Sequence, residues 1–208
     1  MLKFINTAED VTEGMTWLAG RCPRLAYAYE LTGDPALRRR NDGFEAVLQA
    51  IVSQQVSVVS AAAVWGRLEA AKMTNPDRIS AATDEDLKAL GLSRQKVRYA
   101  KALADKGIDF NALRDLESAE VVKVLTGVTG VGVWTAEIYA MFSLGHADVF
   151  APGDLALQEA VKHLYNLPER PKERDLRDMA LAWSPYRAVA ARALWAYYHH
   201  IKAREGVL

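Results

Sequence analysis

The sequence contains a single cysteine, Cys22, among its 208 residues. One thiol excludes an intramolecular disulfide, a structural zinc site built on paired cysteines, and an iron–sulfur cluster that needs four thiolates. The four histidines have no spacing with carboxylates or thiols that is typical of a transition-metal site. They are His146, His163, His199 and His200. We therefore expect no transition metal and no organic cofactor.

Long hydrophobic runs are also lacking. No apolar run approaches the roughly 20 residues that span a bilayer, and residues 1–14 (MLKFINTAEDVTEG) lack the basic start and apolar stretch of a signal peptide. Neither sign of charge is in excess, because Lys plus Arg and Asp plus Glu each number 26. Attraction to nucleic acid would therefore depend on where the charges lie. These features predict a cytoplasmic protein that does not associate with membranes.

No segment alternates convincingly between apolar and polar residues, as a half-buried strand does. Apolar residues instead recur at the three- and four-residue spacing of a helix with one buried face. One such series comprises Phe44, Val47, Leu48, Ile51 and Val52. The same spacing from Tyr186 to Ile201 predicts a long last helix with Pro185 in its first turn. Breaks at Gly, Pro and Asn delimit nine or ten helices, so the sequence predicts an all-α fold.

Residues 125–137 (LTGVTGVGVWTAE) place three glycines within six residues between two helical stretches. Glycine tolerates positive φ and close backbone approach, and the amides that open the next helix point outward at the positive end of its dipole. Such a turn can bind a phosphate. Seen alone, a Gly-X-Gly in a helical protein is more often a tight turn between packed helices.

This segment resembles the hairpin of the helix-hairpin-helix DNA glycosylase superfamily, in which the turn grips the phosphates of one strand. The matching residues are Leu125, Val128, Gly130, Val131, Gly132, Thr135 and Ala136. Asp154 follows 22 residues after Gly132, within residues 148–154 (DVFAPGD), which resemble the loop that presents the superfamily's catalytic aspartate. Residues 51–57 (IVSQQVS) and 183–187 (WSPYR), with Trp195 downstream, resemble the branch typified by 3-methyladenine DNA glycosylase II.

The resemblance implies two helical lobes with an active-site cleft between them. The central lobe would comprise residues 42–140, including the hairpin 125–137, and the second lobe would be formed by both chain ends, residues 1–41 and 141–208. Because too few residues precede Phe44 for the β-rich N-terminal domain of longer relatives, the chain resembles a short form of this family.

The implied function is that of a monofunctional DNA glycosylase in base excision repair. It would act as a monomer on double-stranded DNA, flip out an alkylated base and hydrolyse its bond to the sugar. Asp154 is the implied catalytic residue, since a carboxylate can stabilise an oxocarbenium-like sugar or help water attack it. Its position also predicts a helix N-cap, and the two roles are compatible. Asp148 is expected to be a structural cap.

The resemblance assigns four residues to the pocket for the flipped base: Trp134, Trp195, Ile138 and Leu155. An electron-poor alkylated base stacks favourably on aromatic rings. Trp134 stands where relatives that also nick the strand carry a lysine nucleophile, so we expect no strand cleavage.

Ile138 and Leu155 stand where well-known relatives carry aromatic residues, which implies a wider or less selective pocket. Tyr139, Phe150 and Phe44 are the candidates to compensate.

Seven residues are predicted to contact DNA: Gln55, Gly130, Gly132, Thr135, Ser93, Lys96 and Arg98. Gln55 is expected to end its helix and to insert into the gap left by the flipped nucleotide, although a solvated helix end is an equal alternative. Ser93 is a predicted N-cap, and the basic side chains after it could contact phosphates or form a solvated face. Thr83 and Asp86 predict a capping box.

The family's hairpin can hold a monovalent cation, Na or K, through main-chain carbonyls. By position these would belong to Thr126, Val128 and Val131, and no other cofactor is expected.

Two other functions remain open. One is a non-catalytic hairpin protein that binds DNA, with Asp154 serving only as a cap. The other is a glycosylase for oxidised purines, which would usually carry a lysine at the position of Trp134.

Overall fold

The computed structural model describes residues 2–204, in which the secondary structure is helical and β pairing is limited to an isolated bridge between Phe4 and His146. The predicted all-α fold is confirmed. Within the same residues, no helix is both long enough and apolar enough to cross a membrane.

The described residues form twelve α-helices. In chain order these are α1 (Ala8–Ala19), α2 (Pro23–Thr32), α3 (Phe44–Ser53), α4 (Val58–Ala70), α5 (Pro76–Ala81), α6 (Asp84–Ala89), α7 (Arg94–Asp105), α8 (Ser118–Thr126), α9 (Val133–Tyr139), α10 (Leu155–Tyr165), α11 (Glu173–Ala180) and α12 (Arg187–Arg204). The expected nine or ten helices were too few, because helices of six residues such as α5 and α6 are too short to show a clear apolar period. Short 3₁₀ turns occupy Ala112–Asp115 and Leu181–Trp183, and a π-helical segment, Ala140–Leu144, follows α9.

The chain divides into two compact units. The central unit comprises Arg40–Tyr139, and the terminal unit combines Met1–Arg39 with Ala140–Leu208. The sequence had placed these boundaries between residues 41 and 42 and between residues 140 and 141.

The central unit is built on the buried faces of α3, α7 and α8. α3 buries Val47, Leu48 and Ile51, at the spacing that predicted the helix. The Ser93 side chain accepts a hydrogen bond from the Lys96 amide and caps α7, as predicted. Thr83 and Asp86 form the predicted capping box of α6.

The terminal unit packs α12 against α1, α2 and α10. A Cβ at Gly14 of α1 would lie 2.7 Å from a methyl carbon of Val189, so the glycine permits a close approach to α12. α12 begins at Arg187, so the expectation that Pro185 lies in its first turn was wrong. The Tyr186 amide instead donates to the Trp183 carbonyl in a preceding turn.

The π-helical segment is held by a buried arginine. Arg192 of α12 is 3% exposed, and its guanidinium donates to the carbonyls of Leu37 (3.0 Å), Ala188 (2.8 Å) and Met141 (3.3 Å). Burial lowers the pKa of Arg192 to about 10, and the charge of Arg39 acts in the same direction. The guanidinium carbon also lies 4.8 Å from the centre of the Phe142 ring.

Candidate functional site

Asp154 is the N-cap of α10, as its position after Pro152-Gly153 predicted. Its Oδ1 accepts three hydrogen bonds, from the amides of Ala156 (2.9 Å) and Leu157 (3.1 Å) and from the indole Nε1 of Trp195 (3.2 Å). The amides come from the first turn of the helix, and the indole comes from α12. These donors fix the orientation of the carboxylate at the positive end of a helix dipole.

The loop before Asp154 is anchored at its other end by Asp148. The Arg187 Nε donates to Asp148 Oδ1 (2.6 Å), its Nη2 donates to the Asp148 carbonyl (3.1 Å), and the Ser184 hydroxyl donates to Oδ2 (2.8 Å). The expectation that Asp148 caps a helix was wrong, because its carboxylate joins the loop to the segment that opens α12. The structure gives Arg187 a role that the sequence did not assign to it.

Two predicted pocket residues lie in the terminal unit: Trp195, on α12, donates to Asp154, and Leu155 is the first residue of α10. Trp195 is half-buried and its ring centre is 5.6 Å from that of Phe142, at an interplanar angle of 33°. Leu155 is 63% exposed. The terminal unit therefore combines a carboxylate, an indole and an exposed aliphatic side chain. Phe142 was not expected here, because it belongs to a π-helical turn that the sequence did not predict.

The glycine hairpin connects α8 to α9 in the central unit. Gly130 has a φ of +95°, and a Cβ on it would lie 2.2 Å from Cγ of Tyr99 on α7, so both backbone and packing require glycine. A Cβ on Gly132 would meet nothing within 4 Å. Gly132, which directly precedes α9, therefore has open space where a side chain would stand.

A side chain from the α3–α4 turn holds the hairpin. Gln54 Nε2 donates to the Gly130 carbonyl at 2.9 Å. Gln55, the next residue, is exposed with a φ of +55°. The expectation that Gln55 ends its helix was wrong: α3 ends at Ser53, and Gln54 is already extended. Only the doubled glutamine in the sequence could have drawn attention to Gln54.

The basic side chains after Ser93 divide into two groups. Lys96 Nζ donates to the Val52 carbonyl in the last turn of α3 (2.6 Å), and burial lowers the pKa of Lys96. Lys101 Nζ donates to the Ala82 carbonyl (2.8 Å). Arg94 and Arg98 are exposed, and the Arg98 guanidinium lies 5.6 Å from the centre of the Tyr99 ring. Lys96 and Lys101 therefore contribute to packing of the unit, whereas the two arginines extend towards solvent.

The predicted pocket residues of the central unit, Trp134 and Ile138, lie on α9 together with the predicted DNA contact Thr135. Trp134 is 47% exposed, and Ile138 and Thr135 are half-buried. Tyr139 is buried, its hydroxyl accepts a hydrogen bond from the Gly43 amide (2.8 Å), and burial raises its pKa to about 12.

Phe150 of the terminal unit is also buried, 5.3 Å from Trp183 between ring centres. Tyr139 and Phe150 therefore belong to the cores of their units, and the expectation that they compensate in the pocket is not supported.

The hairpin carbonyls allow a test of the implied cation site. The Val128 carbonyl accepts the Val131 amide (3.0 Å), whereas those of Thr126 and Val131 accept no backbone hydrogen bond from another described residue. Carbonyl oxygens of this kind suit a hard cation. Among residues 2–204, no group of three or more His, Cys, Asp or Glu side chains could hold a metal ion.

Residues 48–185 match the model of the HhH-GPD superfamily of base excision DNA repair proteins. The chain belongs to this superfamily. The match includes α4 to α11 together with the hairpin and Asp154, so it covers both sets of candidate residues.

Related proteins agree with this membership. The chain is 27% identical over 165 residues to DNA-3-methyladenine glycosylase 1 of Schizosaccharomyces pombe, covering 75% of this chain and 72% of that protein. It also resembles the crystal structure of a DNA-3-methyladenine glycosidase from Bacillus halodurans, with a TM-score of 0.83, 30% identity, and coverage of 98% and 94%. The S. pombe 3-methyladenine DNA glycosylase in complex with abasic DNA gives a TM-score of 0.75 at 25% identity, over 88% of this chain and 95% of that one.

These matches confirm the predicted superfamily and the class of enzyme, a hydrolase of N-glycosyl bonds in DNA repair. They also support DNA as the partner. The roles of individual residues stay predictions.

Proposed function

We propose that this protein is a monofunctional DNA glycosylase that extrudes an alkylated base from double-stranded DNA and hydrolyses its N-glycosyl bond, leaving an abasic site. The observation that carries the proposal is Asp154, which sits at the N-terminus of α10 with its Oδ1 fixed by two amides and one indole. The names of the related proteins support an alkylated purine as substrate.

The environment of Asp154 suits the reaction. Cleavage of the glycosyl bond develops positive charge on the sugar, and a preorganised carboxylate stabilises that charge without reorganisation. The three donors to Oδ1 are N–H groups of two amides and one indole, and together they orient the carboxylate. Asp148, only six residues earlier, differs because it pairs with the Arg187 cation.

Water is the proposed nucleophile. Trp134 occupies the position from which lyase-active relatives attack with a lysine amine, and an indole cannot form a Schiff base. The reaction then stops at the abasic site, with no strand cleavage.

The hairpin and its neighbours are proposed to bind the DNA backbone. Gly132 has open space where a side chain would stand, which leaves room for a phosphate near the amides that open α9. Exposed Arg94 and Arg98 add positive charge. A monovalent cation held by the carbonyls of Thr126, Val128 and Val131 would add further positive charge for a phosphate. Gln55, exposed on its turn, is the proposed residue that fills the space of the extruded nucleotide. We propose that a single copy of the chain binds the duplex.

Trp134 and Trp195 are the proposed stacking partners of the extruded base. Each is partly exposed, so each retains ring surface for a ligand. Ile138 and Leu155 are aliphatic where the resemblance to the family leads us to expect aromatic residues, and this difference favours a broad range of alkylated bases over one substrate.

A panel of duplexes, each with one defined lesion, tests the proposal with the purified protein and Asp154→Asn. Asparagine keeps the N-cap, so stability and binding to abasic duplex should persist while base release falls by about 100-fold or more. Asp178→Asn, an exposed change on α11, is the matched control and should keep full activity.

Strand breaks should appear only after alkali. If the wild type bound these duplexes but released no methylated, deaminated or ethenoadenine base, the non-catalytic alternative would stand. Preferential release of 8-oxoguanine would instead identify a glycosylase for oxidised purines.

A further inference from the structure

Gln54 has no place in the chemistry proposed above, yet it joins two segments that are proposed to touch DNA. Its side-chain amide reaches from the α3–α4 turn to the Gly130 carbonyl, 76 residues away in the sequence, at 2.9 Å. Gln55 follows directly and carries a positive φ of +55°. The hydrogen bond therefore connects the turn that presents Gln55 to the hairpin that presents the α9 amides.

Two further contacts tie the same segments to α7. Lys96 Nζ donates to the Val52 carbonyl, two residues before Gln54, at 2.6 Å. One helical turn later, the ring of Tyr99 lies against Gly130 so closely that a Cβ there would be 2.2 Å from it. The turn, the hairpin and α7 thus form a closed set of three contacts within the central unit.

In this set, each contact restrains a different pair of segments. Lys96 holds the last turn of α3, which leads into the α3–α4 turn, to α7. Tyr99 packs against the hairpin from α7, and Gln54 joins the turn to the hairpin directly. An exposed turn with a residue at positive φ would otherwise lose conformational freedom only when DNA binds. A turn that is already fixed avoids that loss, which is the advantage of preorganisation.

We infer that Gln54 is a positioning residue that fixes the distance between Gln55 and the hairpin. Gln55 then enters the duplex at the opened base pair while the hairpin binds the phosphates. This inference rests on the proposed function. Gln54 would act in base extrusion and would not act in the hydrolysis that follows it.

Gln54→Met tests the inference, because methionine has a similar length and lacks the amide donor. The first measurement is single-turnover base release from a lesion that is paired and from the same lesion held unpaired in a bulge. Loss of one partly buried hydrogen bond should slow release from the paired lesion by about fivefold to tenfold. Release from the unpaired lesion should change by less than about twofold, since extrusion is no longer required.

The controls separate positioning from general destabilisation. Gln49→Met, an exposed change on the same helix, should leave both rates as in the wild type. Gln54→Asn keeps an amide on a shorter side chain and should restore part of the loss. In a Gln55→Ala background, Gln54→Met should add little, because residues that act through one another are not additive. The inference would be overturned if Gln54→Met slowed base release equally from the paired and the unpaired lesion, or slowed it from neither.

A binding measurement keeps this test separate from that of the proposed function. The ratio of affinities for abasic and undamaged duplex requires no catalysis, and Gln54→Met should lower it by about fivefold. An unchanged ratio would contradict the positioning role of Gln54. A wild type that releases no base from either lesion would instead contradict the proposed function, whatever the ratio.

Discussion

In the terminal unit, main-chain amides and an indole hold the carboxylate of Asp154, the proposed catalytic group. In the central unit the relation is reversed, because the side chains of Gln54 and Tyr99 hold a main-chain segment around Gly130. A side-chain site can be altered by one atom while the backbone stays as it is. A main-chain site changes only when the side chains that hold it or its own backbone conformation change. Substitutions in the two units should therefore differ in how they affect the free energy of unfolding, DNA affinity and base release.

The largest effect is expected for Gly130→Ala. Alanine would have to adopt a φ of +95° and would place its Cβ 2.2 Å from the Tyr99 ring. Together, the strain and the clash should lower the free energy of unfolding by about 3 kcal/mol. DNA affinity should fall with it, because the hairpin must move. Denaturant unfolding and fluorescence anisotropy with a labelled duplex measure the two effects.

Gly132→Ala is the matched control for Gly130→Ala. Its Cβ meets nothing within 4 Å, so the free energy of unfolding should change by less than about 1 kcal/mol. DNA affinity should still fall, since the methyl group would occupy the space proposed for a phosphate. If Gly132→Ala bound DNA like the wild type, the hairpin would not be the phosphate site.

A smaller effect, confined to chemistry, is expected for Trp195→Phe. The change removes the indole donor to Asp154 and keeps an aromatic ring beside Phe142. Loss of one hydrogen bond to a charged group should slow single-turnover base release by about tenfold. Affinity for abasic duplex should change far less. Trp65→Phe is the control, because Trp65 also donates to a carboxylate, that of Glu69, on α4 of the central unit. A matching loss of activity in both variants would contradict a specific role for Trp195.

The smallest effect is expected for Ser93→Asp at the start of α7. Aspartate is as good an N-cap as serine, so the free energy of unfolding should stay within about 0.5 kcal/mol. The added negative charge should weaken duplex binding by about threefold at low salt if a phosphate lies nearby, and the difference should shrink as salt rises. Asn75→Asp adds the same charge at the N-cap of α5 and should leave binding unchanged. Equal effects from both variants would show that only net charge matters.

The sequence predicted those features that depend on neighbours in the chain. Apolar spacing predicted α3, the Pro-Gly-Asp order predicted the cap at Asp154, and the clustered glycines predicted the hairpin. The hydrogen bonds of Gln54 and Lys96 were beyond prediction, because their partners lie 76 and 44 residues away and are backbone carbonyls, which carry no signature of their own. The π-helical segment was also missed, since no glycine or proline lies within Ala140–Leu144.

That π-helical segment, Ala140–Leu144, behaves like one residue inserted into an otherwise α-helical path. Each residue of an α-helix turns the chain by about 100°. The wide turn therefore sets the angular register at which Phe142 meets Trp195, and through the indole it sets the register of Asp154. The length of this turn thus contributes to the placement of Asp154, in addition to the identity of Phe142.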